Sequence, residues 1–338
     1  MKKIIFTILT ICSAIGLVWA DEPVCPPAAT STTTISFKRT LPSILPGAFS
    51  VSATKQVYFT KGNLQYNPAF NSWRFAEHQY DVIGNAAGNT TGVSSRSTVD
   101  AWMDLFAFAT SGYDHTSVDP SAEYFQPWES SNANKGDANN DYHYGPSITI
   151  LTAGQNLSGN PSTANYDWGV YNFTSGTEAG CRTMTRSELI YIFGSRTNAS
   201  KLYGYGTLFG HKGIFLLPDD WNWDTMLEVK AAKNAADFTW TGGSKSYDAN
   251  IIVDDAKGRV LWRAMEEAGA VFIPCGGWRA GTNVSNPTSH GLYWTSTVSS
   301  SANAYDLYFY EGSLGADRTD GRFYGSSVRL VKDVPAAP

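Results

Sequence analysis

Apolar and polar positions alternate most clearly near the C-terminus, in "AYDLYFY". Tyr305, Leu307 and Phe309 fall on one side of a strand, and Asp306, Tyr308 and Tyr310 fall on the other. The first set suits a core, which leaves tyrosines on the solvent side. Short strands are also predicted at Phe49 to Val51 and at Val57 to Phe59, with "KGN" as a turn, and another strand-like segment at "WRFAEHQYDVIG". "GIFLLP" and "AVFIP" are apolar throughout, as strands buried on both faces are. "GLYWTSTV" and "SSVRLVKD" complete the strand set.

Three helices are predicted among them. "STVDAWMDLFAFAT" has Ser97 or Thr98 as a cap and Trp102, Leu105 and Phe106 at helical spacing. "TRSELIYIF" places Thr185 and Glu188 in capping-box spacing. "GRVLWRAMEEAG" stops at Gly269. Residues 111–164 lack periodicity and read as long ordered loops. The order of elements predicts an α+β fold: one domain over residues 47–333, with an antiparallel sheet, a few helices and much loop.

The N-terminus changes the picture. Lys2 and Lys3 precede an apolar run that ends at Val18-Trp19-Ala20, the form of a signal peptide over residues 1–20. Residues 21–46 carry "CPPAATSTTT" and read as a Pro/Thr-rich linker. The chain is therefore expected to be secreted or displayed on the cell surface, with outer-membrane association as one form of display. Its composition agrees: of 338 residues only 16% are charged, against 14% aromatic. The net charge of −5, made more negative by loss of Lys2 and Lys3, argues against a nucleic-acid partner.

Candidate chemistry is sparse. The five histidines show no metal-ligand spacing, and no nucleophile elbow occurs. No cofactor, metal or catalytic residue is expected. Asp137, Asn139 and Asp141 could offer oxygens to calcium, but they fit a polar turn better. Cys181 and Cys275 could form a disulfide or remain as buried thiols; CxxC spacing is absent. Trp221, Trp223, Trp278 and Trp294 could stack on sugars, though core or loop packing is the commoner role.

Nine segments in order, among them "GAFSVSATKQVYFTKGNLQY", "MDLFAFATSGY", "GCRTMTRSELIYIF", "GLYWTSTV" and "YGSSVRLVKD", resemble a family of exported gut Bacteroidota proteins with a C-type-lectin-like fold. Broader relatives of that family are the formylglycine-generating-enzyme fold and the variable proteins of diversity-generating retroelements. The resemblance covers nearly all of 47–333. It implies a binding protein rather than an enzyme, with a ligand face just before the last strand. By resemblance the face would use Asp306, Tyr308, Tyr310, Asp317, Thr319, Asp320, Phe323, Tyr324 and Ser326, joined by Arg318. Tyr with Ser, Gly and Asp is a paratope-like mixture, suited to an unidentified protein or glycan. Two other readings stand beside this one: a structural surface or appendage subunit, and a sulfatase-modifying-type enzyme. The latter lacks a close cysteine partner for Cys275.

Overall fold

The computed structural model describes residues 42–90, 100–113, 152–223, 238–281 and 283–335. The signal-peptide segment, nearly all of the linker, the Asp137 cluster and Cys25 lie outside the described residues.

Mainly antiparallel β-structure with few helices results. In chain order the strands begin with β1 (Ile44–Ser50), β2 (Gln56–Thr60), β3 (Leu64–Asn67) and β4 (Ser72–Phe75). Helices α1 (Ala87–Thr90) and α2 (Trp168–Asn172) precede β5 (Cys181–Thr183) and α3 (Arg186–Ile190), which runs on as a π-turn over Tyr191–Ser195. Next come β6 (Tyr203–Leu208), β7 (His211–Leu216), β8 (Ile251–Ile252), α4 (Ala256–Glu267), β9 (Val271–Pro274), β10 (Trp278–Ala280) and β11 (Asn283–Ser285). The chain closes with β12 (Gly291–Val298), β13 (Asn303–Tyr310), β14 (Ser313–Gly321) and β15 (Leu330–Asp333).

The last strand pairs with an early one. β15 lies between β2 and β5 in the sheet β1-β2-β15-β5, so both ends of the domain are tied into one ladder. A second sheet runs β8-β6-β7-β9, and a third runs β12-β13-β14. β7 and β9 are covered on both faces, which explains their unbroken apolar runs. Ile214 and Ile273 enter a core shared with Phe49, Phe59, Tyr293 and Phe309. Phe215 and Phe272 turn the other way, under Leu261, Trp262 and Met265 of α4. A further core gathers Tyr66, Phe106, Phe108, Trp168 and Trp294.

Local signals account for two helices. Thr185 accepts from the Glu188 N–H at 3.3 Å, and Glu188 accepts from the Thr185 N–H at 2.8 Å, closing the capping box. Asp255 caps α4 through the Gly258 N–H at 2.7 Å. Gly269, at φ +91, turns the chain out of α4 within 2.3 Å (measured from an added Cβ) of the Gly47 backbone, so only glycine fits there.

The first predicted helix is not formed in its described part, from Asp100 on. Met103 bridges to Tyr66 and Phe106 to Ser326, while the Phe108 N–H donates to the Arg322 carbonyl. Every residue from Met103 to Ser111 is buried. Apolar groups are thus needed on all sides of this segment, and its apparent helical stripe is part of a continuously buried, extended run. "WRFAEHQYDVIG" is likewise a strand only to Phe75. Most of residues 111–164 lie outside the described residues.

Candidate ligand-binding face

The third sheet carries the predicted face, and its geometry sorts the candidate residues. Leu307 and Phe309 enter the first core with Tyr293, and Leu314 and Ala316 of β14 pack against it. Ala304, Asp306, Tyr308 and Tyr310 point the other way. Exposure rises along that second row. Ala304 and Asp306 are fully buried, Tyr308 is half-buried and Tyr310 is 37% exposed. The gradient arises because Ala304 joins Trp294, Val298 and Phe108 in a covered core, while the far end of the row runs free.

A bulge splits the β14 candidates. Asp306 pairs with Arg318, but Tyr308 pairs with Gly315, so two steps on β13 take three on β14. The extra residue lies at Ala316–Asp317 and flips the pleat. Asp317 consequently reaches Arg186 on α3, at 3.4 Å, and the same guanidinium lies 4.4 Å over the Tyr305 ring. Thr319 sits opposite Tyr305 on that side. Arg318 and Asp320, opposite Asp306 and Ala304, return to the tyrosine side. The ten predicted residues therefore do not form one surface.

What assembles instead is a compact aromatic cluster. Tyr308 and Tyr310 are 5.3 Å apart, and His290 lies 5.8 Å from the first and 5.0 Å from the second, nearly parallel to it. Trp278 meets His290 at 5.8 Å. Arg318 lies 3.7 Å over the Tyr308 ring and donates to Asp320 at 3.2 Å. Burial, and then the Arg318 guanidinium, holds the His290 pKa below its ordinary value. Ser289 Oγ is 2.9 Å from its Nδ1.

Trp278 and His290 were not predicted as members of the face. His290 shows no metal spacing, but it directly precedes β12, whose Gly291 pairs with Phe309. That hairpin register sets it beside Tyr310. Trp278 arrives through the bridge between Gly277 and Gly291, which no local pattern announces.

Several expectations are corrected. Asp306 is buried rather than presented to solvent, and neither of its oxygens accepts a hydrogen bond. Burial first, and the adjacent Asp320 carboxylate second, push its pKa up to about 9. Ser326 is also fully buried; its backbone pairs with that of Phe106. Phe323 and Tyr324 contact each other at 4.3 Å, and Tyr324 packs onto the Phe106–Trp294 core. Cys181 and Cys275 are free thiols in different cores, so no disulfide joins them. Burial pushes both thiols up to about 12. Cys275 lies 3.2 Å from the Tyr247 hydroxyl, and at neutral pH it offers no thiolate.

Among the described residues no group of three or more His, Cys, Asp or Glu is placed to hold a metal ion, and no helix is long and apolar enough to cross a membrane. Comparison with protein-family models, curated proteins and solved structures finds no match.

Proposed function

We propose that the protein is an exported or surface-displayed binding protein with a C-type-lectin-like fold, and that it holds a protein or glycan ligand on the aromatic end of its third sheet. One observation carries this reading: Tyr308, Tyr310, His290 and Trp278 converge with Arg318 where the sheet emerges from its core. Mutual ring contacts immobilise these side chains before any ligand arrives, which lowers the entropic cost of binding. The tie between the first strands and the last supports the lectin-like assignment, because it brings the linker end and the C-terminus together and leaves the third sheet to carry the face.

The test is a screen of the full-length protein against glycan and surface-protein arrays, repeated with a Tyr308→Ala/Tyr310→Ala variant. A ligand that the variant loses, with its thermal unfolding unchanged, supports the proposal. Ligands retained in full by the double variant would place binding elsewhere.

A further inference from the structure

The exposed part of the aromatic face is small. Tyr310 is its most open ring, flanked by half-buried Tyr308, His290 and Trp278. Asp317 and Thr319 are on the opposite side of the sheet and cannot widen it. Asp306 and Ser326 are buried. A standard protein interface covers about 800 Å² on each partner. The surface left here is closer to the footprint of one sugar residue, for which aromatic rings provide an apolar platform.

Its charge has a direction. The Arg318 side chain is 40% exposed, whereas that of its partner Asp320 is only 13% exposed and lies beneath it. Glu311, the other nearby acid, turns its carboxylate to the Tyr247 N–H at 3.2 Å. Asp306 adds no outward charge, being wholly buried. Hence an acidic chain presents a guanidinium outward at its aromatic patch, held in place by the Tyr308 ring below and the Asp320 carboxylate behind. A guanidinium fixed in this way has donors left for a planar carboxylate.

We infer that this patch takes a carboxylate-bearing sugar, a hexuronic or nonulosonic acid residue, with the pyranose against Tyr310 and the carboxylate on Arg318. This rests on reading the face as a ligand site and adds the class of ligand.

Titration calorimetry on the full-length protein tests it with three probes: methyl glucuronide, methyl glucoside and a short Glu-rich peptide. The glucuronide is expected to bind about tenfold or more tightly than the glucoside, with affinity falling as salt is raised. Arg318→Gln should remove that preference, and Tyr310→Ala should remove binding of both sugars. Asp317→Ala, on the far side of the sheet, should bind as the unaltered protein does. Equal affinity for glucoside and glucuronide, or a preference that survives Arg318→Gln, overturns the carboxylate assignment. A Glu-rich peptide bound as tightly as the glucuronide overturns the sugar assignment. Those outcomes leave the binding face intact; that reading fails separately, if the Tyr308→Ala/Tyr310→Ala variant keeps every ligand found on the arrays.

Discussion

Asp306 makes the fold sensitive to alkali, and the effect can be isolated by one substitution. Its carboxyl is buried with no donor to accept from and faces the buried Asp320 Oδ2, to which the protonated Asp306 carboxyl donates. With its pKa raised to about 9, the folded protein keeps the Asp306 proton at neutral pH. An unfolded chain releases it near about pH 4. Folding then binds a proton, so stability from this group is complete below about pH 4 and is lost progressively as pH rises to about 9. Each pH unit in that window costs up to about 1.4 kcal/mol, or about 4 kcal/mol from about pH 5 to about pH 8. Arg318 nearby favours the charged form, and the pair can relax, so about 2 kcal/mol is the working expectation. Asp306→Asn supplies a neutral amide of the same shape, whose N–H can replace the Asp306 O–H as the donor to Asp320. For a domain of this size 1 kcal/mol shifts the melting temperature by about 2 °C. Thermal melts across that range should therefore show the variant losing about 4 °C less than the unaltered protein. Glu266, raised to about 7 by burial, and Asp104, raised to about 6, contribute slopes of the same sign, but these cancel in the comparison. Parallel curves for the two proteins would refute the reasoning.

Arg329 is fully enclosed and donates to Asn63 at 3.3 Å and to Gln79 at 2.7 Å. Arg329→Ala takes the donor from the Asn63 oxygen and one of two donors from Gln79 Oε1, which keeps the Phe272 N–H at 2.8 Å, and it leaves a cavity where the guanidinium lay. It should cost about 2 kcal/mol in chemical denaturation, with Arg329→Lys recovering little because a point charge cannot span the two acceptors; a cost under about 0.5 kcal/mol would contradict this. Because Cys181 and Cys275 are unlinked, both should be alkylated on unfolding without reductant, and reductant should leave the melting temperature of the domain in place; a lost disulfide would instead remove about 2–4 kcal/mol.

The sequence makes some of this fold legible for identifiable reasons. The capping box at Thr185 and the glycine stop at Gly269 are local devices, and each appears where the residues place it. The alternation of β13 also holds, because one face meets a core of Leu307 and Phe309. It could not reveal that the opposite row begins buried, since Ala304 on that row joins a second core with the segment of Phe106 and Phe108, far away in sequence, and Asp306 is buried beside it. The same segment misleads in its own right: helical spacing and two-sided burial give similar patterns over ten residues. Within the candidate face, Tyr308 and Tyr310 are accessible to pattern reading, whereas Arg318 and Asp320 enter only through the family resemblance. The bulge that removes Asp317 and Thr319 was not, because nothing in "SLGADRTDG" marks which residue is skipped. His290 and Trp278 required the register of a hairpin and an isolated bridge.

The displaced residue in β14 has a consequence for how safely this surface can be carried. β14 is the outer strand of its sheet, nine residues long, and one side of its backbone has no neighbouring strand within that sheet. Such an edge is a template for a strand from another molecule. Here the template is spoiled in its middle: the pleat breaks at Ala316–Asp317, and Asp317, Arg318 and Asp320 follow in quick succession. An incoming strand would lose its register at the break and meet charges of both signs just beyond it. A sheet that leaves Tyr310 exposed beside its outer strand thereby stays closed to its own copies. The residues at this break are constrained by colloidal solubility as well as by any ligand, so the freedom to vary β14 is narrower than its exposure suggests.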